Sequence, residues 1–159
     1  MIIGFILSAV IIALDQLTKF LIYGTPARSI VGNLLWFESS LNTGVAFSMF
    51  EGMSVVFIIT SLVASALFVW IIVSKKFFTM KLEKVSMGLV LGGTLSNVLD
   101  RLIFGGVRDF IYLKFINFAI FNIADMAITI GAIMLCVCIL ISSFKRNEPQ
   151  KSEAQKEEK

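Results

Sequence analysis

The sequence predicts an all-α membrane protein with four transmembrane helices and a small strand-forming segment in the first outer loop. Of its 159 residues, 57% are hydrophobic and 16% are charged. A soluble domain has about 45–50% apolar and about 25% charged residues. Four apolar stretches each approach the length of about 20 residues that a helix needs to cross a bilayer. This composition excludes an ordinary water-soluble domain, and it also excludes a disordered chain, which contains few apolar residues.

The four predicted spans leave connections that are too short for a second folded domain. The first span lacks the basic start and the small-residue cleavage site of a secretory signal peptide, so we interpret it as a membrane helix. The second span is 21 residues long and has no charge. We predict spans at residues 2–22, 54–74, 85–104 and 123–143 within one domain, residues 1–146, and a disordered polar tail, residues 147–159.

The first outer loop, residues 23–53, is long for a connection, and we expect it to have structure of its own. Residues 29–31, 34–37 and 45–47 are typical of short strands, because they are rich in β-branched and aromatic residues and are separated by turn residues. The aromatic rings of this loop, such as Trp36, favour a position at the membrane interface. Packing of these rings against the helices is the alternative, and both can hold.

Lysine and arginine are distributed unevenly among the connections. The loop after the second span and the tail together contain nine of them, whereas the two other loops contain three. Short cytoplasmic loops carry an excess of Lys and Arg. The pattern therefore predicts that both termini are cytoplasmic and that residues 23–53 and 105–122 face outward.

The absence of histidine narrows the chemistry available to the chain. It excludes Ser-His and Cys-His nucleophile pairs and histidine-ligated metals. Cys136 and Cys138 would point to different faces of a helix, so they are poorly placed to share a metal or a disulfide, and we interpret them as small apolar residues. We therefore expect no metal and no cofactor, and we expect the chemistry to use carboxylates, amides, hydroxyls, Lys or Arg.

Three of the spans carry polar residues near their outward ends at helical spacing. These residues are Asp15, Thr18 and Lys19 in the first span, Gly93, Asn97, Asp100 and Arg101 in the third, and Asn122, Asp125 and Thr129 at the start of the fourth. Polar stripes at one membrane depth must face each other or water, because lipid offers them no partners. The spacing therefore predicts a shared polar cluster.

Several of these side chains have a structural interpretation. The acid and the lysine of the first span are four residues apart, which is the spacing of an ion pair that can orient the end of a helix. Arg101 is expected to neutralise Asp100 or another acid, or to extend to the membrane surface. Gly92 and its neighbour allow close helix approach. Asn97 and Asn122 can bridge helices through amide hydrogen bonds, or they can position a substrate peptide.

Two acids, Asp109 and Asp125, have no basic partner three or four residues away. Arg108 precedes Asp109 and would favour its ionised form if the arginine turned toward it. Two close carboxylates in a pocket of low dielectric hold one proton between them. The ionised member can then activate a water, while the protonated member polarises a carbonyl and later protonates an amine. This is the chemistry of aspartic proteases, and which of the two acts as base stays open because the pair titrates as one unit.

The alternative is a small proton-coupled transporter, or a transporter subunit, that uses an aspartate relay. Such a relay needs acids spread through the depth of the membrane. The inner halves of the predicted spans contain none, and the second span has none at all. This distribution favours the hydrolytic interpretation over the relay.

Five motifs occur in order between residues 15 and 125. They are D-Q-x-T-K at residues 15–19, N-x-G-x-A-[FW] at 42–47, a run at 92–101 similar to G-G-x-x-G-N-x-x-D-R, V-x-D-F-I at 107–111 and F-N-x-A-D at 121–125. Each motif is weak alone, but the ordered set is specific. The chain resembles the bacterial lipoprotein signal peptidases (signal peptidase II, or prolipoprotein signal peptidase). Ser96 replaces the glycine common in the third motif, and we expect this departure to affect helix spacing, not the chemistry.

The resemblance implies a membrane aspartyl endopeptidase that removes the signal peptide of prolipoproteins just before the lipobox cysteine, after that cysteine has received a diacylglyceryl group. It implies Asp109 and Asp125 as the catalytic pair and an outer loop that forms a small β-cradle at the membrane surface. It also implies the bacterial cytoplasmic membrane as the location, a site near the outer leaflet, membrane lipids as partners and no nucleic acid. Residues that match positions supporting the site or contacting substrate are Asp15, Lys19, Asn42, Gly44, Asn97, Asp100, Arg101, Asn122 and Ala124.

Overall fold

The computed structural model describes residues 2–44, 54–74 and 80–157. It contains four helices, α1 (Ile2–Ile22), α2 (Ser54–Val73), α3 (Lys81–Phe104) and α4 (Ile123–Glu157), and three strands, β1 (Arg28–Val31), β2 (Leu35–Asn42) and β3 (Val107–Leu113). A short 3₁₀ helix, Lys114–Ile116, follows β3. All four helices contain a stretch long and apolar enough to cross a membrane. The predicted fold class is confirmed.

Two helices extend beyond their predicted bounds. α3 begins at Lys81, before the predicted start at residue 85, because the Glu83 carboxylate accepts a hydrogen bond from the Met80 backbone nitrogen at 2.8 Å and caps the first turn. α4 continues to Glu157, through the segment from residue 147 that the sequence predicts as disordered. That segment is too polar for a packed core, but its Glu, Lys, Gln and Ala residues favour a helix that the preceding span has already started.

α3 is the central helix, and it packs against α1, α2 and α4. Just over half of its membrane-crossing window is buried (56%), whereas the other three helices bury 11–17% of theirs. A Cβ added to Gly92 would lie 2.8 Å from the Cα of Ser8 on α1, so the absence of a side chain lets the two backbones touch. The buried polar residues of α3 therefore face neighbouring elements, while the exposed helix faces carry many large apolar residues.

The three strands form one antiparallel sheet in the order β1-β2-β3. Trp36 on β2 lies opposite Ser29 on β1 and Tyr112 on β3, and Ser40 lies opposite Asp109. The predicted strands in the first outer loop are confirmed for β1 and β2, whereas residues 45–47 lie outside the described residues. The third strand comes from the second outer loop, whose Val, Phe, Ile and Tyr residues suit a strand. Its pairing with β2 is a long-range contact that the local pattern does not reveal.

The sheet lies against the end of the bundle where α1 and α3 finish and α4 begins. Gly105 ends α3 in a left-handed conformation (φ 73°), and its backbone nitrogen donates to the Arg101 carbonyl at 3.1 Å. The chain then reverses directly into β3. This turn brings the strand carrying Asp109 beside the polar ends of the helices, as the contacts of β3 with α1 and α3 indicate.

Candidate active site

Asp109 and Asp125 lie in the wall of one cavity of about 290 Å³, together with Asn42, Asn97 and Arg101. Asp109 is on β3 and is 2% exposed. Asp125 is in the first turn of α4. Neither belongs to an ion pair among the described residues, whose salt bridges all involve other acids. The two acids that the sequence leaves without a basic partner therefore line the same cavity.

Two hydrogen-bonded asparagines hold the two carboxylates. Asn97 on α3 donates through Nδ2 to Oδ1 of Asp125 at 2.7 Å, and Asn122 donates through Nδ2 to Oδ1 of Asp109 at 2.6 Å. Asn122 Nδ2 also donates to Asn97 Oδ1 at 3.2 Å. Both asparagines therefore bridge elements, as one of their two predicted roles requires, and they fix the carboxylates of β3 and α4 relative to α3.

A capping box fixes Asp125 at the start of α4. The Asn122 side-chain oxygen accepts a hydrogen bond from the Asp125 backbone nitrogen at 2.9 Å, and the Asp125 carboxylate accepts one from the Asn122 backbone nitrogen at 3.2 Å. This reciprocal pair satisfies two backbone donors that the first turn of a helix leaves free. The N-x-x-D spacing was the sequence signal for this arrangement, and it was missed.

Asn42 holds the other side of Asp109 from the end of β2. Its Nδ2 donates to Oδ2 of Asp109 at 3.2 Å, and its Oδ1 accepts from the Gly44 backbone nitrogen at 3.0 Å. The Gly44 carbonyl in turn accepts from Nη2 of Arg101 at 3.3 Å. The second motif therefore joins the carboxylate of Asp109 to the arginine of α3.

Burial, and after it the negative charge of Asp125, raise the pKa of Asp109 to about 7. The hydrogen bonds from Asn42 and Asn122 act in the opposite sense, because they stabilise the ionised carboxylate. Removal from water is the largest of these influences. Asp109 can therefore hold a proton at neutral pH, which an ordinary surface aspartate does not.

A fully buried lysine lies behind this pair. Lys19 donates through Nζ to Asp15 at 2.7 Å, to Asp100 at 3.1 Å and to Oδ1 of Asn97 at 3.1 Å. The predicted ion pair between Asp15 and Lys19 is thus present, and Asp100 is a second acidic partner. Because Asn97 Oδ1 accepts from Lys19, the amide of Asn97 must turn its NH₂ group toward Asp125.

Asp15 also anchors the start of α4. Its Oδ1 accepts from the Ala124 backbone nitrogen at 2.9 Å, and its Oδ2 accepts from the Ser96 hydroxyl at 2.6 Å. Ala124 is fully buried. A Cβ added to Gly93 would collide with the Ala124 carbonyl oxygen and lie 2.8 Å from Ile128, so only glycine at this position lets α3 approach α4 so closely.

The two arginines near the site have different partners. Arg108 binds Asp100 through its backbone nitrogen and through Nη2, both at 2.8 Å, so it turns away from Asp109. Arg108 therefore fills the role of neutralising Asp100 that the sequence offers to Arg101. The guanidinium of Arg101 instead lies over the Phe57 ring at 5.6 Å and against the cavity. The role of Arg108 was missed because its ion pair joins it across the turn at Gly105 to Asp100, eight residues earlier in the chain.

Gln16 and Ser96 complete the cluster, and neither is among the site residues that the sequence predicts. Gln16 donates through Nε2 to the Ser96 hydroxyl at 3.0 Å and to Oδ1 of Asp100 at 2.9 Å, and its Oε1 accepts from Nη2 of Arg108 at 2.8 Å. Gln16 directly follows Asp15 in the first motif, and the serine stands out as a departure from the third. These two features of the motifs are the sequence signals that could have identified both residues. The serine hydroxyl takes part in the polar cluster directly.

A second, apolar cavity of about 400 Å³ adjoins the first. The two cavities share Phe118, Phe121, Asp125 and Thr129 in their walls. The rest of the second cavity is lined by apolar side chains from the end of β3, the 3₁₀ helix and α4. One wall of the polar site thus continues into an apolar groove.

The four membrane-crossing helices and the shared acidic cavity define a multi-pass membrane protein, and known structures define its class further. Two solved structures described as bacterial membrane enzymes resemble this chain. The first has a TM-score of 0.80 and 26% identity over 91% of this chain and 92% of the other. The second has a TM-score of 0.74 and 27% identity over 86% and 92%.

Sequence relatives identify the family. Residues 7–141 match the family model described as signal peptidase (SPase) II, and the chain belongs to this family. A lipoprotein signal peptidase of Shouchella clausii is 38% identical over 91% of this chain and 96% of its own length. Those of Geobacillus kaustophilus and Lactobacillus johnsonii are 38% and 35% identical, over 82% and 88% of this chain and 88% and 93% of their own lengths.

Proposed function

We propose that the chain is a membrane aspartyl endopeptidase in which Asp109 and Asp125 form the catalytic dyad. Its reaction is the cleavage of diacylglyceryl-modified prolipoproteins just before the lipobox cysteine. The observation that carries this proposal is the shared cavity, in which each carboxylate is held by one of two hydrogen-bonded asparagines, Asn97 and Asn122. Family membership and the names of the relatives support the lipoprotein substrate.

The two carboxylates have different surroundings, and this suggests their roles. Asp125 lies in the first turn of α4, where the helix N-terminus favours negative charge, and it accepts a backbone N–H from Asn122. Asp109 lies on a strand, and its pKa is raised to about 7 by burial and by the charge of Asp125. We therefore assign the ionised base to Asp125 and the shared proton to Asp109 in the free enzyme.

The reaction then needs one water and no other group. The oxygen of the water attacks the scissile carbonyl carbon while Asp125 accepts a proton from the water. At the same time Asp109 donates its proton to the carbonyl oxygen. The tetrahedral intermediate collapses when the C–N bond breaks and the leaving amine takes the proton that Asp125 accepted. Asp109 regains a proton as the new carboxyl group forms, so the dyad returns to its starting state.

The surrounding charges fit a dyad that holds one proton. Lys19 and Arg108 balance the charges of Asp15 and Asp100 through the three ion pairs. Arg101 lies near enough to interact with both acids of the dyad and balances the one negative charge that remains. Its Nε is buried and, within the described residues, has no hydrogen-bond partner, so it is available to a substrate carbonyl.

The apolar groove beside Asp125 suits the apolar parts of such a substrate. Its lining is almost entirely apolar, and it joins the polar cavity directly. A signal peptide and a diacylglyceryl group are both apolar, so either can enter the groove while the scissile bond reaches the dyad. The excess of Lys and Arg at the other end of the bundle favours cytoplasmic termini and a site near the outer leaflet of the bacterial cytoplasmic membrane.

The test is cleavage by purified protein in liposomes that contain a diacylglyceryl-modified prolipoprotein. We expect the wild-type protein to release a product that begins with the modified cysteine, which mass spectrometry identifies. Asp109→Asn and Asp125→Asn should each lower turnover by about a thousandfold, because an amide can neither accept nor donate the shared proton. Glu38→Gln, an acid on β2 outside the cavity, is the matched control and should retain turnover.

Appreciable turnover by either folded asparagine variant would overturn the dyad. The same liposomes measure proton flux, which distinguishes the transporter alternative. A flux that depends on Asp109 and Asp125 in liposomes without cleavage activity would favour a relay. Cleavage without such a flux supports the peptidase.

A further inference from the structure

We propose that Arg108, Gln16 and Ser96 are positioning residues that hold the strand of Asp109 and the helix start of Asp125 at a fixed separation. The three side chains form one hydrogen-bonded bridge behind the dyad. This inference rests on the proposed function, because the bridge matters for turnover only if the two carboxylates must act together at a fixed separation. None of the three occurs among the described residues that line the polar cavity.

The bridge begins at β3. Arg108 is 7% exposed. The Asp100 carboxylate accepts hydrogen bonds from the Arg108 backbone nitrogen at 2.8 Å, from Nε at 3.3 Å and from Nη2 at 2.8 Å. The guanidinium also lies 4.0 Å from the centre of the Phe104 ring. Adjacent residues of a strand point to opposite faces. Fixing Arg108 against α3 therefore turns Asp109 toward the cavity.

Gln16 carries the bridge from β3 to α1 and α3. Its Oε1 accepts from Arg108 at 2.8 Å, which leaves its Nε2 to donate to Ser96 at 3.0 Å and Asp100 at 2.9 Å. The amide orientation is thus fixed from both sides, by the arginine, which can only donate, and by the carboxylate of Asp100, which accepts. Replacing Arg108 would remove the donor to Gln16 Oε1 and with it the link from β3 to α1.

Ser96 completes the bridge to α4. Its hydroxyl accepts from Gln16, so its own proton goes to Oδ2 of Asp15 at 2.6 Å. Asp15 then accepts the Ala124 backbone N–H at 2.9 Å, one residue before Asp125. The path from β3 to α4 is continuous. It meets the asparagines that hold the carboxylates on the cavity side through Lys19, which binds Asp15, Asp100 and Oδ1 of Asn97.

The bridge predicts a specific kinetic signature. Small displacements of catalytic groups slow the chemical step far more than they weaken binding. Ser96→Ala and Arg108→Met should each lower kcat about tenfold while KM stays within about twofold. Because both residues belong to one path, the double variant should be about as slow as the slower single variant, not a hundredfold slower. Arg108→Lys should recover part of the loss, since it keeps the charge and one of the bonds.

Two variants provide matched controls in the same liposome assay. Ser8→Ala removes another buried hydroxyl at the α1–α3 contact, which donates to the carbonyls of Gly4 and Gly88 far from the dyad. Arg28→Met removes an exposed arginine of the same sheet, which lies over the Phe37 ring. Both should retain the wild-type kcat. Thermal unfolding of every variant separates a loss of stability from a loss of turnover.

An unchanged kcat in folded Ser96→Ala and Arg108→Met would overturn the bridge, and so would losses that multiply in the double variant. An equal loss of kcat in Ser8→Ala would show that any change in packing between α1 and α3 slows turnover, and this result would also overturn the bridge. If Arg108→Met does not fold, Ser96→Ala tests the bridge alone. Asp109→Asn is measured in the same assay. If it is inactive while the bridge variants are fully active, the bridge alone is rejected. If Asp109→Asn is active, the proposed function is rejected.

Discussion

Asp109 owes its properties to its immediate neighbours. It is buried on a strand, accepts amide hydrogen bonds from Asn42 and Asn122, and faces the charge of Asp125. The amides favour its ionised form, but burial and the second acid outweigh them, so its pKa lies near 7. The proton that the proposed mechanism shares between the two acids is therefore lost when the pH rises through neutrality.

This titration predicts the alkaline side of the activity profile. We expect kcat/KM of the wild-type protein to fall as the pH rises above about 7, because both carboxylates are then ionised and none can donate to the carbonyl oxygen. The measurement is initial rates of prolipoprotein cleavage in liposomes between pH 5 and 9. A rate that stays level to pH 9 would contradict a proton held by Asp109.

At the residue scale, the sequence predicts pairs that are close along the chain. The ion pair of Asp15 and Lys19 follows from the helical spacing, and the structure confirms it with a distance of 2.7 Å between Lys19 Nζ and Asp15 Oδ2. The ion pair of Arg108 and Asp100 does not follow from spacing, because it depends on the reversal of the chain after α3. The hydrogen bond of Ser96 to Asp15 likewise joins two helices that are distant in the sequence.

At the scale of whole elements, the site depends on how closely α3 approaches the start of α4. Gly93 faces the Ala124 carbonyl, and the same turn of α4 carries Asp125. The asparagine of α3 reaches Asp125 at 2.7 Å across this contact. The separation of the two helices thus sets the position of the Asp125 carboxylate.

Gly93→Ala should disturb both stability and turnover. The added methyl group would meet backbone, which cannot move aside as a flexible side chain can, so α4 must shift. We expect a loss of about 1–3 kcal/mol in the free energy of unfolding and a lower kcat. Thermal unfolding and cleavage rates measure the two effects, and Leu102→Ala on the exposed face of α3 is the control. An unchanged melting temperature and rate would contradict the close approach.

The sequence also predicts elements unevenly. The spans are evident because apolar stretches of this length have no other common explanation, and their bounds lie within a few residues of the helices except at the end of α4, which continues to Glu157. The strands of the first outer loop follow from local composition. The composition of β3 also suits a strand, but residues 107–111 were interpreted only as a motif, and the pairing of β3 with β2 is a long-range contact that the local pattern does not reveal.

At the scale of the whole molecule, the chain separates two populations of charge. The buried ions of the cluster gather at the end of the bundle that carries the sheet, whereas Lys81 and Lys84 lie at the opposite end, at the start of α3. A positive excess marks the cytoplasmic side of a membrane protein. The sheet and the candidate site should therefore face outward.

Cysteine labelling in intact bacteria tests this orientation. Lys114 follows β3 at the sheet end and Lys81 begins α3 at the other end, and both are exposed. In a background that lacks Cys136 and Cys138, Lys114→Cys should react with a membrane-impermeant maleimide in intact cells. Lys81→Cys should react only after the membrane is made permeable. The reverse pattern would contradict the orientation.

The most direct test of the dyad is a structure of the protein with a lipid-modified peptide in which the scissile amide is replaced by a tetrahedral, hydroxyl-bearing carbon. This group resembles the intermediate that water attack would form. We predict that its hydroxyl lies between Asp109 and Asp125, within about 3 Å of an oxygen of each, with the lipid in the apolar groove. A peptide whose hydroxyl contacts neither carboxylate would contradict the account.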